Sequence, residues 1–208
     1  MPDAIYRNLL FDFGQVIIDI DISGAMDRLM QLLKADGDRD RIQRILLDYE
    51  CGKVSTDILI NSVISQSQPN VQALDVIEAW NSMLIGIPHY RLDMLKKLRE
   101  SYSVYLLSNT NALHIEWVHR YMHRTFGTRD FEKEYFDTVY YSHLIGHRKP
   151  SPEIFQYVMD DVFLEPAATL FLDDNVDNIN AAQAMGFGTH LVLPGEEIAE
   201  FLKVNGFY

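Results

Sequence analysis

A single cysteine, Cys51, among 208 residues excludes an intrachain disulfide and a cysteine-rich zinc centre. Basic residues are also scarce: 18 Lys and Arg stand against 30 Asp and Glu, a formal charge of −12. Binding along a phosphate backbone needs a basic face, and anionic membranes attract polybasic segments, so neither nucleic acid nor a membrane is expected as a partner. Long apolar runs are missing. The stretch Leu9 to Ile22 comes nearest, but Asp12, Asp19 and Asp21 break it, so it reads as neither a signal peptide nor a membrane span. No internal repeat, low-complexity tract or Gly/Ser linker divides the chain. What is present suits a folded protein: 48% of residues are hydrophobic, 12% aromatic and 23% charged. A chain of this length hides roughly 70% of its unfolded surface, enough for a core without crosslinks. The expectation is a soluble, acidic, cytoplasmic protein of one domain, or one domain with an insertion, whose state as monomer or homodimer is left open.

Two patterns alternate along the chain. Asn8–Phe11, Val104–Leu107, Thr138–Tyr141, Thr169–Leu172 and Thr189–Leu193 read as buried strands. Polar clusters and helical patterns follow four of them, for instance Asn111–Met122 and Asn178–Met185. This repetition implies an α/β fold, a parallel sheet covered by helices on both faces. The stretch from about Ile20 to Pro88 differs. It shows helical spacing in Met26, Leu29, Met30, Leu33, in Ile42, Ile45, Leu46, Tyr49, in Ile58, Leu59, Val63, and in Val76, Ile77, Trp80, Leu84. Cys51–Ser55 and Ser67–Asn70 act as breaks, and the whole is expected to be a four-helix insertion after the first strand.

Ligands of such sheets sit at the carboxyl ends of the strands, so the residues there carry the chemistry. The first strand ends in Asp12-Phe13-Gly14-Gln15. The second ends in Ser108-Asn109-Thr110-Asn111, a hydroxyl and an amide before a helix start, which make an anion cradle and at the same time suit helix capping. After the third strand comes Arg148-Lys149-Pro150-Ser151-Pro152-Glu153, where Pro150 keeps Lys149 out of the following helix and Ser151 stands at its N-cap. The fourth strand ends in Asp173-Asp174-Asn175. Two adjacent carboxylates repel each other unless a cation is near, and with Asp12 they form an oxygen-rich set suited to Mg²⁺.

In this order the segments Asp-Phe-Gly-Gln-Val-Ile, Leu-Ser-Asn-Thr-Asn, Arg-Lys-Pro-Ser-Pro-Glu-Ile-Phe and Phe-Leu-Asp-Asp-Asn resemble the four motifs of the haloacid dehalogenase-like (HAD) superfamily of aspartate-nucleophile hydrolases. The resemblance spans the whole chain. It implies a doubly wound, Rossmann-like core over residues 1–18 and 89–208 with a helical cap over 19–88. It further implies a Mg²⁺-dependent phosphatase acting on a small phosphorylated metabolite. Asp12 would be the nucleophile that becomes an aspartyl-phosphate, Ser108 and Asn109 would hold the phosphoryl oxygens, and Lys149 would neutralise charge and orient the nucleophile. Asp12, Asp174 and the carbonyl of Gly14 would bind the metal, with Asp173 supporting them from behind.

One departure stands out. Phosphatases of this family usually carry a second Asp two residues after the nucleophile as general acid and base, and this chain has Gly14. Losing such a group typically costs about 10²–10⁴ in rate. The sequence is most similar to a Gly-containing, sugar-phosphate phosphatase-like subgroup, which points to a sugar phosphate, such as a hexose 1-phosphate, with a more acidic leaving oxygen. The alternatives are a catalytically weak phosphate-binding or regulatory protein, which Gly14 keeps open, and a 2-haloacid dehalogenase, against which the Asp173-Asp174 pair speaks. Tyr49-Glu50-Cys51-Gly52-Lys53 joins two cap helices and is expected to face the site. His119 and His123 read as solvated helix surface, and Tyr135, Phe136, Tyr140 and Tyr141 as core.

Overall fold

A computed structural model describes residues 6–208. Its strands in chain order are β1 (Asn8–Phe11), β2 (Asp19–Ile20), β3 (Leu84–Gly86), β4 (Ser103–Ser108), β5 (Thr138–Tyr141), β6 (Thr169–Asp173) and β7 (Gly188–Leu191). The helices are α1 (Ile22–Leu32), α2 (Arg39–Glu50), α3 (Thr56–Gln66), α4 (Ala73–Asn81), α5 (His89–Leu98), α6 (Ala112–Phe126), α7 (Phe131–Tyr135), α8 (Ser142–Ile145), α9 (Pro152–Asp161), α10 (Val176–Ala184) and α11 (Ile198–Val204).

Five strands pair in parallel in the order β5-β4-β1-β6-β7. β1 is central, with Phe11 level with Leu106 on one side and Leu172 on the other. Leu9, Leu10 and Phe11 are fully buried, and such side chains each contribute roughly 1.5–3 kcal/mol by leaving water. Alternation sends them to different faces. Leu9 and Phe11 join the cluster that includes Leu95, Val118, Phe131 and Leu202 from α5, α6, α7 and α11, while Leu10 joins Phe155, Phe171 and Ile179 on the α9 and α10 side. Both faces are therefore helix-covered, the doubly wound α/β arrangement expected. Phe136, Tyr140 and Tyr141 are core residues as anticipated, and Tyr135 packs with them.

Helices α1–α4 pack on a cluster of their own, built from Leu29, Ile42, Leu46, Leu59, Val63 and Trp80 among others, and Leu113 of α6 reaches into it. Asp21, Asp38 and Ser55 accept hydrogen bonds from backbone N–H groups at the starts of α1, α2 and α3. One expectation needs correction. The insertion, expected to be four helices, also has β2 and β3 pairing antiparallel where the chain enters and leaves it, and Leu84, expected in a helical pattern, lies in β3. The helix starts also shift. Asn111 caps α6, and α10 begins at Val176 because Asn175 caps it by accepting from the Asp177 and Asn178 N–H groups. Ser151 occupies the N-cap of α9, but its hydroxyl donates to the Glu153 carboxylate rather than accepting from the helix.

Arg91 of α5 ties the loop after β1 to the sheet's far end. Its buried guanidinium donates to the Ile17 carbonyl at 3.2 Å, to Asp19 at 2.8 Å and to Glu197 at 2.9 Å. This fixes the segment that leads from the end of β1 into β2.

Candidate active site

The residues singled out at the strand ends converge on one edge. Asp12 directly follows β1, and its N–H donates to the Leu172 carbonyl at 2.8 Å. The chain then turns tightly: the Ile17 and Ile18 N–H groups both donate to the Phe13 carbonyl, and Gln15 adopts a left-handed φ of 58°. Its side-chain amide, bound to the Ile20 carbonyl at 2.8 Å, stabilises that unusual backbone for a non-glycine residue.

Lys149 is buried to 1% exposure and placed between two acids, its Nζ 2.6 Å from Asp12 Oδ1 and 2.7 Å from Asp173 Oδ2. Its backbone is clamped by Asn109, whose side chain accepts from the Lys149 N–H at 2.8 Å and donates to the Lys149 carbonyl at 3.0 Å. Asp173 is fully buried and committed: it also accepts from the Asn175 N–H and from Asn178 Nδ2 at 2.9 and 3.0 Å. Asp12 Oδ2 and the Asp174 carboxylate are left to act outward.

Electrostatics follow from burial. Burial pushes the Asp12 carboxyl up to about 7; Lys149 opposes the shift, and repulsion from Asp173 and Asp174 adds to it. Burial and Asp173 raise Asp174 as well. Burial disfavours the charged form of Lys149, but Asp12 and Asp173 outweigh it and hold the ammonium above its ordinary value. The donor set fits a hard divalent cation. Asp12, Asp173 and Asp174 each offer an oxygen within 4.8 Å of the others, and a cation there would relieve the repulsion that raises Asp12 and Asp174.

A cavity of about 460 Å³ opens over this cluster. Asp12, Gly14, Asn109, Lys149 and Asp174 line it, so five of the seven expected site residues share one space. Ser108 and Asp173 do not line it; both are buried at the ends of β4 and β6. The far side comes from the inserted helices and includes Leu46, Glu50 and Trp80; of the Tyr49–Lys53 segment expected to face the site, Glu50 alone lines the cavity. Arg148 and Asn178 also line it and were not singled out from the sequence. The only signal for Asn178 was its place five residues after Asp173. His119 pairs with Glu132 at 2.6 Å on a half-exposed surface away from the cavity, in keeping with a solvated helix residue.

Comparison with known proteins decides the family. A model of the haloacid dehalogenase-like hydrolases matches residues 6–186. The chain belongs to the haloacid dehalogenase-like hydrolases. It is 34% identical over 193 residues to the D-ribitol-5-phosphate phosphatase of Bacteroides thetaiotaomicron, covering 88% of this chain and 90% of that protein. A HAD family enzyme of the same organism, solved in complex with magnesium and inorganic phosphate, superposes with a TM-score of 0.81 at 33% identity, covering 94% of this chain and 98% of that one. A predicted HAD-like hydrolase of Porphyromonas gingivalis superposes with a TM-score of 0.84 at 27% identity, covering 98% and 99% of the two chains.

Proposed function

We propose that this HAD-like hydrolase is a Mg²⁺-dependent phosphatase that cleaves a small phosphorylated metabolite of the sugar- or polyol-phosphate class. The chain is a hydrolase of phosphoric monoesters, and Mg²⁺ is its cofactor. The observation that carries this reading is the cluster of Asp12, Asp173 and Asp174 around the buried Lys149. The Asp173-Asp174 pair speaks against the dehalogenase alternative. The relatives support the reading: one is a sugar-alcohol-phosphate phosphatase and another binds magnesium together with phosphate.

In this mechanism residues 1–18 and 89–208 form the catalytic core and residues 19–88 its cap. A carboxylate oxygen of Asp12 attacks phosphorus; the bond from phosphorus to the ester oxygen breaks, and the departing oxygen takes a proton from solvent. Water then attacks the aspartyl-phosphate at phosphorus, releasing phosphate and restoring Asp12. Lys149, held by Asn109 and Asp173, favours the ionised form of Asp12 and aims it while countering charge on the phosphoryl group. Asn109 binds the phosphoryl oxygens with the amide hydrogen that its clamp on Lys149 leaves free, and Ser108 backs it from the end of β4. Asp12, Asp174 and the Gly14 carbonyl hold Mg²⁺, and Asp173 orients Lys149 and the metal carboxylates. Bound Mg²⁺ supplies charge neutralisation of the transferring phosphoryl group. With Gly14 in place of an acid, efficiency is highest for leaving oxygens that need little protonation, such as those of hexose 1-phosphates.

The test is a phosphate-release screen over sugar, polyol, nucleotide and amino-acid phosphates, with Mg²⁺ and with chelator. Mg²⁺-dependent turnover concentrated in sugar or polyol phosphates is expected; chelator-insensitive activity, or none on any phosphate, contradicts the reading.

A further inference from the structure

We propose that Gln43 reads the far hydroxyl of the leaving group and so selects phosphate esters whose polyhydroxylated chain runs to five or six carbons. This rests on the phosphatase reading above and sharpens its substrate class.

The cavity has two unlike ends. Around Asp12, Lys149 and Asp174 it is charged; opposite, it is walled by Ile20, Met26, Leu46, Leu47, Trp80 and Met83. Glu50 and Arg148 also line it, but they satisfy each other, with Glu50 Oε2 lying 3.2 Å from an Arg148 terminal nitrogen. Gln43 is different. Among the described residues it is the only amide or hydroxyl side chain that the inserted helices bring to the cavity. It is exposed, and its amide has no hydrogen-bond partner among those residues.

Its place follows from α2. Ile42, Leu46 and Tyr49 pack into the cluster that the inserted helices share. The neighbouring stripe of Gln43, Leu46, Leu47 and Glu50, spaced i, i+3, i+4 and i+7, is thereby turned onto the cavity. The Glu50 end of the stripe is tied to the core. Its carbonyl accepts from Ser142 Oγ at 2.6 Å, and its carboxylate pairs with Arg148, the residue before the Lys149 that holds Asp12. Gln43 stands at the opposite end, about 10 Å away along the helix axis at a rise of about 1.5 Å per residue. A leaving group of several carbons, anchored through its phosphate at Asp12, is needed to reach it. A carboxamide both donates and accepts, which matches a hydroxyl in either sense. The apolar wall takes the C–H faces of the carbons in between.

The test uses the whole chain with Mg²⁺ and Gln43→Met, which keeps the length and helix propensity of the side chain and removes its donor and acceptor. Three substrates are compared: the best five- or six-carbon sugar or polyol phosphate of the screen, glycerol 3-phosphate and n-pentyl phosphate. The variant is expected to melt as wild type does and to lose about 3- to 10-fold in kcat/KM on the long polyhydroxylated ester, through KM, as fits one neutral hydrogen bond. Glycerol 3-phosphate, too short to reach Gln43, is expected to be turned over equally by both proteins, and n-pentyl phosphate equally or better by the variant. Unchanged kinetics on the long ester, or a loss shared with glycerol 3-phosphate, overturns the proposal. So does a wild-type preference for glycerol 3-phosphate or n-pentyl phosphate. Absence of Mg²⁺-dependent turnover on all three refutes the phosphatase reading itself, and the proposal falls with it.

Discussion

Lys149 reaches the end of the central strand and sets its ammonium 2.6 Å from Asp12, in a site where Lys149 is 1% and Asp12 8% exposed. Removing one partner of a buried ion pair leaves an uncompensated charge, typically costing about 3–5 kcal/mol. Lys149→Met is therefore expected to lower the melting temperature markedly and to reduce turnover of every phosphate ester. Calorimetry and steady-state kinetics check this; a variant as stable and active as wild type would show that the pair is incidental.

The raised Asp12 carboxyl has a thermodynamic consequence. A group that holds its proton more tightly when folded stabilises the fold fully below its unfolded value of 3.8, and that contribution is lost as pH rises through about 7. Metal-free protein should lose this stability as pH climbs through neutrality, and Mg²⁺ should restore it where Asp12 is ionised. The Mg²⁺-induced rise in melting temperature is expected to be larger at pH 8 than at pH 5, and Asp12→Asn should flatten the difference. Equal shifts at both pH values would contradict the assignment.

His114 makes the opposite prediction. It is buried on α6, stacks on Trp80 of α4 with ring centroids 4.9 Å apart, and burial lowers its pKa from 6.5 to about 4. A depressed histidine contributes stability that is present above 6.5 and is lost as pH falls through about 4, here on the order of 3 kcal/mol. Because the stack joins the inserted helices to the core, acid should loosen that contact. Trp fluorescence and melting curves between pH 7 and 4 read the effect, and His114→Gln should reduce the slope; an unchanged slope would sink the idea.

Much of this was legible in sequence. Asn8–Phe11 and Thr138–Tyr141 coincide with β1 and β5 because short continuous apolar runs bounded by polar residues leave few other structures. Asp12, Asn109 and Asp174 were readable because each directly follows a strand, and Lys149 because Pro150 keeps it out of α9. Other features left no local trace. β2 and β3 have two and three residues, too few to show an alternation. Arg91 binds Asp19 and Glu197, 72 and 106 positions away, and Arg148 meets Glu50 across the cavity. Such pairings are set by the tertiary fold, and no periodicity announces them.

Gly14 offers a test of the missing acid. An added Cβ would come within 2.8 Å of Ile20 Cδ1, the mobile end of a side chain, and no backbone strain forbids it. Gly14→Asp is expected to fold and to raise turnover of a simple alkyl phosphate relative to an aryl phosphate, by about 10-fold or more if the new carboxyl protonates the leaving oxygen. An unchanged alkyl-to-aryl ratio would show that protonation of the leaving group does not limit this enzyme.

The nucleophile is the central claim, and acid-quenched mass spectrometry of the enzyme during Mg²⁺-supported turnover tests it most directly. The account predicts a phosphoryl adduct on the peptide carrying Asp12, absent in Asp12→Asn together with steady-state activity. An adduct on another residue, or wild-type turnover by Asp12→Asn, would contradict it.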